Sequence, residues 1–470
     1  MKKIWMLFAI GGLFLMSCSD DDAINDPAPD PDPIQYTSGT ADFSNYVALG
    51  NSITAGYTDA ALFIDSQTNS YPNMVAQNFA LAGGGNFNIP FMADNLGGAT
   101  LFGQPLFGNR LILDFSTGSP LPTPVSGTGT TEISNVLTGP FNNMGVPGAK
   151  SYHLLADGYG NVDGVALGLA NPYFARFASS PGTSIIADAA VQNPTFFSLW
   201  IGNNDVLGFA ASGGAGVDQT GNPDALSYGG SDITDPGLFG FVYDGILQTL
   251  TANNADGVVV NLPDVTALPY FTTVPYNPLD PTNPDFGPQI PLLNSIFGAL
   301  NQIYSAIGAT DRIIVFSTTE ASPVVIKDEN LADLSATIAG ALLSDLPTFE
   351  AFIAQFGLPP QAAPLVANLL GATYGQARQA TAEDLVVLTS SSVIGTVNTD
   401  ALQSLVGQGL SVELAGQFSV EGISLPLEDK WVLTTEEQEA VATATAAYNQ
   451  TIAALATQYD LALVDVNAFQ

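Results

Sequence analysis

The sequence predicts an α/β protein, a parallel sheet flanked by helices and interrupted by long insertions. Short apolar runs of strand length alternate with segments of helical period, the order that parallel strands with right-handed crossovers require. Several of those runs stop abruptly at Gly or Pro, as at Gly50, Gly202 and Pro263. With 47 Gly, 31 Pro and a charged fraction of 11%, the composition suits a loop-rich secreted protein better than a helical bundle.

At the N-terminus, Lys2 and Lys3 precede an apolar stretch at 4–16 that has signal-peptide length and is too short to span a bilayer. It ends in Leu15-Met16-Ser17-Cys18, which resembles the cleavage box of a bacterial lipoprotein. Residues 1–17 are therefore expected to be a signal peptide, and Cys18 to carry lipid. Cys18 is the only cysteine, so no internal disulfide can form. Ser19-Asp20-Asp21-Asp22 resembles the acidic tag that sends some lipoproteins to the cell surface, so the expected location is the bacterial outer membrane, on either the inner or the cell-surface face. Residues 18–41 read as an acidic, proline-rich tether. The folded part runs from 42 to 470.

The first element is the most telling. Tyr46-Val47-Ala48-Leu49 has the pattern of a buried strand, stops at Gly50, and passes through Asn51 and Ser52 into Ile53-Thr54-Ala55-Gly56, which opens a helix. Open α/β sheets place ligand sites at the carboxyl edge where such a turn lies. A hydroxyl at a helix N-terminus is surrounded by unpartnered N–H groups that favour developing negative charge. Ser52 is thus either a nucleophile or merely the helix cap.

Further along, 90–141 is rich in Gly, Pro and Thr without a period. Residues 195–201 read as a strand, 211–237 as a polar loop, 238–250 as a helix and 257–262 as the next strand. Prolines cluster at 275–291, then a helix is expected over 292–307 and a strand over 312–316. The largest insertion, 328–430, has helical apolar patterns at 331–343 and 364–370. It is expected to form a small cap over the sheet edge or a second domain with a thin core. Thr435-Glu436-Glu437-Gln438 has the form of a capping box. Val441, Ala444, Tyr448, Ile452 and Leu455 then share one helical face, and 461–466 is the last strand.

The net charge of −35 repels phosphate backbones and anionic lipid heads, which argues against nucleic acid and for a neutral or cationic substrate. Asp20–Asp22 lack a loop that would close around Ca²⁺. Gly83-Gly84-Gly85 has neither the Lys nor the preceding strand of a phosphate loop.

Two further motifs, Asn143-Met144-Gly145-Val146-Pro147-Gly148-Ala149 and Gly202-Asn203-Asn204-Asp205, follow Gly50-Asn51-Ser52-Ile53 in the chain. Taken together they resemble the first three sequence blocks of the SGNH hydrolases, the GDSL family of esterases and lipases, in the family's order. Residues 257–269, GVVVNLPDVTALP, resemble its next strand. The resemblance covers 42 to the end, apart from the insertions, and looks closest to large lipoprotein members. It implies a three-layer, SGNH-like (flavodoxin-like) parallel sheet. It implies Ser52 as nucleophile, with an oxyanion hole made by the Ser52 amide, the Gly148 amide and the Asn204 side chain. Such donors must already point at where the negative charge forms. Asp205 is expected to brace its own turn. The implied substrate is a carboxylic ester, a small acyl ester, a lipid or an acetylated glycan, with no metal or organic cofactor. Tyr270, Phe271 and Tyr276 either line the site or pack the core.

The chain departs from the family twice. Asn51 stands where the first block usually has Asp. More seriously, the family's closing Asp-x-x-His, whose His is the general base, is matched only by Asp465 with Ala468 three residues on. Either the sequence is incomplete or His153, the only histidine, is recruited. Loss of the base costs on the order of a millionfold in turnover. The rival expectation is a non-catalytic surface binding lipoprotein on the same fold. Oligomeric state is not set by these residues.

Overall fold

A computed structural model describes residues 36–116 and 121–469. The signal segment, Cys18 and the tether as far as residue 35 lie outside the described residues. From Ser38 onward the chain forms one compact unit.

Its centre is a sheet of five parallel strands: β1 (Tyr46–Gly50), β2 (Asn143–Gly145), β3 (Phe196–Trp200), β4 (Asp256–Val260) and β5 (Ala462–Val464). Their spatial order is β5-β4-β3-β1-β2. The order reverses between β1 and β3, and the carboxyl ends of those two strands frame the crevice where open α/β sheets bind ligands. Register aligns the ends: Gly50 lies opposite both Gly145 and Trp200.

Alternation decides the faces. Val47, Leu49, Phe197, Leu199 and Val259 are buried on one side in the main core. There they meet Phe239, Tyr243 and Ile246 of helix Pro236–Thr251, and Val441, Ala444, Tyr448 and Ile452 of helix Thr435–Gln458. Each fully buried side chain of this kind contributes about 1.5–3 kcal/mol. Tyr46 and Ala48 point the other way and pack with Ala76, Val75 and Phe79 of helix Tyr71–Ala80. The edge strand β5 differs, since Leu463 and Val464 remain 40% and 39% exposed.

The expected helices at 238–250, 292–307 and 435 onward are present, with bounds moved by a few residues. The last begins one residue after its cap, Thr434, whose N–H donates to the Glu437 carboxylate at 2.6 Å. The box is therefore Thr434 with Glu437, not Thr435 with Gln438.

Residues 312–316 do not form a strand. Ile314 and Phe316 are buried as strand residues would be, but their backbone pairs with side chains. Asn301 both donates to the Ile314 carbonyl (2.8 Å) and accepts from its N–H (2.9 Å). Asn294 treats Phe316 the same way at 2.8 and 2.9 Å. The two asparagines sit seven residues apart on helix Ile290–Ala306, hence on one face. Their amides replace the neighbouring strand.

A second core runs from Leu279 to Val432, through Ile290, Phe297, Tyr304, Ile338, Phe349, Ala367 and Leu427. It is not thin, and it begins well before residue 328. The proline cluster hid this, because helix Ile290–Ala306 reads as part of the main layering although it belongs to the second core.

The described residues of the aperiodic segment 90–141 form short strands at Ala99–Leu101, Gln104–Phe107, Leu111–Asp114 and Thr131–Glu132. Buried polar residues hold it. Arg176 donates to the carbonyls of Phe91 (2.9 Å) and Pro90 (2.8 Å), and Gln67 donates to Pro90 and accepts from the Met92 N–H.

Candidate active site

The three motifs converge on the carboxyl edge of β2, β1 and β3. Helix Ser52–Ala55 begins two residues after the end of β1. Its cap is Asn51, whose Oδ1 accepts the Ile53 N–H at 3.1 Å. Ser52 is therefore not the cap. It is the first helical residue, half-buried, and among the described residues neither its hydroxyl nor its backbone N–H has a hydrogen-bond partner. The helix lies so close to β2 that a Cβ on Gly145 would stand 2.2 Å from the Ala55 nitrogen, so glycine is required at 145.

Gly148 follows β2 by three residues. It is exposed and has φ +81°, a left-handed conformation that glycine adopts without strain. The next amide, that of Ala149, closes the turn onto the Val146 carbonyl at 3.1 Å. The Gly148 N–H has no acceptor among the described residues. Asn204 opens helix Asn204–Ala211 after β3. Its Nδ2 donates one hydrogen to the Ala149 carbonyl at 2.8 Å, which sets the side chain beside the Ala149–Lys150 peptide, one peptide beyond Gly148.

Three bonds close the loops into a ring. The Val146 N–H donates to the Gly50 carbonyl at 2.9 Å, Asn51 Nδ2 to Asn203 Oδ1 at 3.3 Å, and Asn204 Nδ2 to Ala149. Ser52, Gly148 and Asn204 each stand next to one of these bonds or take part in it. The Asn51 amide donates to one loop and accepts within its own, which a carboxylate at that position would not do.

Asp205 acts differently from the expectation. It is fully buried and accepts from Ser151, from the N–H at 2.9 Å and the hydroxyl at 2.7 Å. It thus braces the motif after β2 rather than its own turn. Burial raises its pKa, against the pull of the Ser151 bonds and the Lys150 charge. Lys150 is buried too, donates to the Asp232 carbonyl at 2.7 Å, and has its pKa lowered by that burial. No local pattern pointed to this pairing, since Ser151 and Asp205 lie 54 residues apart.

His153 is not placed as a base. Its Nδ1 accepts the Lys150 N–H at 3.0 Å and lies 3.2 Å from the Tyr159 hydroxyl, while the ring stacks on Tyr159 at 4.4 Å. An acceptor Nδ1 puts the proton of the neutral ring on Nε2. Burial, and then the nearby Lys150, lowers its pKa to about 4. The lone pair needed to take a proton from Ser52 is already committed. Tyr159 also contacts Asn171, which donates to the Pro147 carbonyl at 2.8 Å. His153 therefore supports the peptide before Gly148.

Asp465 follows β5 at the same edge and accepts from Asn261 Nδ2 (2.7 Å) and the Ala468 N–H (3.1 Å). Two strands stand between β5 and β1. At roughly 4.8 Å per strand spacing, Asp465 is about 14 Å across the edge from Ser52. Phe271 packs the core, and Tyr270 donates to the Ala211 carbonyl at 3.2 Å, at the far end of the helix that Asn204 opens.

The aperiodic segment reaches the turn after helix Ser52–Ala55 through one aromatic chain. Ile53 and Tyr57 are 38% and 37% exposed. Tyr57 meets Tyr173 edge-on at 6.3 Å, and Tyr173 stacks on Phe107 at 4.8 Å. Among the described residues, no three His, Cys, Asp or Glu side chains gather as a metal site. No single helix there is long and apolar enough to cross a membrane. Comparison with protein-family models, curated proteins and solved structures returned no match to this chain.

Proposed function

We propose that this chain is a serine ester hydrolase of the SGNH type, on the three-layer SGNH-like variant of the parallel-sheet fold. We place it at the bacterial outer membrane, anchored through lipid on Cys18. The observation that carries this reading is the hydrogen-bonded ring of three loops at the reversal of strand order. Among the described residues it leaves one serine hydroxyl and the backbone amides of Ser52 and Gly148 without partners.

In this reading Ser52 Oγ attacks the ester carbonyl. The oxyanion forms among the Ser52 and Gly148 N–H groups and the free hydrogen of the Asn204 amide, donors already fixed before the charge develops. The Ser52 proton passes to hydroxide, since the only imidazole is committed elsewhere. Such a site turns over about a millionfold more slowly than a complete triad, yet keeps a residual 10³–10⁴-fold advantage over water. An uncharged or cationic ester suits the net charge of −35.

The committed Nδ1 of His153 favours a second reading, a surface lipoprotein that binds esters or glycans without cleaving them. One assay separates the two. Nitrophenyl acetate is incubated with the purified chain and with Ser52→Ala between pH 6 and 9. Slow release that rises with pH, shows no inflection near 6.5 and disappears in the variant supports the enzyme. Equal rates remove Ser52 from any mechanism and leave the binding protein.

A further inference from the structure

We infer that the second core holds a binding cavity for the hydrocarbon chain of an uncharged lipid. The cavity measures about 230 Å³ and lies between helices Leu346–Ala354 and Ala363–Tyr374 on one side and the pair Thr399–Gly407 and Val412–Gln417 on the other. Its walls include Phe352, Phe356, Leu369, Leu405, Leu414 and Phe418.

Three features select the ligand. The cavity opens to solvent along helix Thr399–Gly407, so its apolar walls meet water until a guest covers them, and covering them with a hydrocarbon chain is favourable. Next, no charged side chain lines the cavity. The polar groups are the neutral Thr373, Ser404, Gln408 and Tyr374, and the Tyr374 hydroxyl already donates to the Ser424 carbonyl. Lastly, a neighbouring cavity of about 530 Å³, which shares Ile296 as a wall, carries Asp280, Asp285 and Glu413. These acids repel a carboxylate or phosphate head, and the cavity itself has no acid to pair a cationic one, which leaves an alcohol or ester head that Ser404 and Gln408 are able to meet.

One wall is slight. Helix Thr399–Gly407 contains no buried residue, and its Leu402, Leu405 and Val406 are only partly covered. It is secured at its start, where Asn398 caps Ala401 and donates to Glu421 at 2.6 Å. A chain-shaped guest in the cavity completes the packing of that helix. The assignment stands on the cavity and does not depend on the chemistry at Ser52.

The test uses the purified chain and the fluorophore N-phenyl-1-naphthylamine, displaced by 1-dodecanol or by dodecanoate. Dodecanol should displace the fluorophore at least tenfold more tightly than dodecanoate. Ala401→Trp and Leu369→Trp, which fill the cavity from opposite walls, should weaken displacement at least tenfold while the circular dichroism of the chain is kept. Equal affinity for the two ligands overturns the uncharged head group, and undiminished binding in both folded variants overturns the site. Should either variant misfold, a diazirine-bearing alcohol photolysed with the unmodified chain decides. Labelling within 346–374 or 399–418 supports the cavity, and labelling elsewhere sinks it.

Discussion

Asn51 and Asn203 share a hydrogen bond of 3.3 Å across 152 residues of chain. The bond crosses the crevice where strand order reverses and ties the turn that carries Ser52 to the turn that carries Asn204. The same Asn51 side chain caps the helix that Ser52 opens. One amide therefore fixes both the direction of that helix and its distance from the opposite loop.

Replacing it should show both roles. Asn51→Ala is expected to destabilise the chain by about 1–2 kcal/mol, mostly through loss of the cap. Any Ser52-dependent ester cleavage should fall more than the stability change explains. Urea melts and nitrophenyl ester kinetics on the same preparation measure the two. Unchanged kinetics with lowered stability leaves Asn51 a cap alone.

Asn204→Ala should lower Ser52-dependent cleavage by about a hundred- to a thousandfold, the usual cost of one oxyanion donor. The loss should appear in kcat rather than KM, because the donor acts on the transition state. A rise in KM alone would place Asn204 in substrate binding.

His153 should make stability depend on pH. The unfolded imidazole takes a proton near 6.5, and burial holds the folded one near 4. Unfolding thus takes up a proton between those values, so the stability from the neutral ring is complete above about 6.5 and is lost as pH falls toward 4. The contribution reaches up to about 3 kcal/mol. His153→Gln, which keeps an acceptor for the Lys150 N–H, should flatten the stability curve over that window. Parallel curves for the two proteins would refute this.

Glu437 runs in the opposite sense. Burial first, and Asp429 beside it, raise its pKa to about 7, although the Thr434 N–H pulls it down. Its contribution is present below its unfolded value near 4.5 and is lost as pH rises through 7. Glu437→Gln still accepts from Thr434 and no longer ionises. It should melt about one or two degrees higher than the parent at pH 8, and no higher at pH 4. A lower melting temperature at pH 8 contradicts the assignment.

Asn301→Ala leaves the buried Ile314 N–H and carbonyl without partners. Each unsatisfied group costs about 1–3 kcal/mol, so the second core should lose several kcal/mol. Leu at 301, of similar size, should do no better. Hydrogen exchange at Ile314, fast in the variant and slow in the parent, locates the damage.

Legibility followed the range of the interactions. β1, β3 and β4 were readable because a buried parallel strand is a nearly continuous apolar run. Helix Thr435–Gln458 was readable from the spacing of Val441, Ala444, Tyr448 and Ile452. Residues 312–316 have the same local pattern as β3, and nothing local reveals that Asn294 and Asn301 take the place of a neighbouring strand. The 90–141 segment has no period because polar residues at 67 and 176 hold its backbone. Ser52 and Asn204 were found as motifs, whereas Ser151 and Lys150 had no motif to announce them.

By itself, the order of apolar runs and helical faces determined an α/β chain with a parallel sheet, and motif positions placed Ser52, Gly148 and Asn204 at strand ends. Both are local properties that backbone period and steric limits write into neighbouring residues. Only the tertiary structure decided that those three ends adjoin, that Asn51 rather than Ser52 caps the helix, and that His153 is a brace. Those outcomes depend on which distant donors and acceptors meet once the sheet order is set. A ring nitrogen that has accepted the Lys150 N–H is no longer available to Ser52, whatever its position in the sequence.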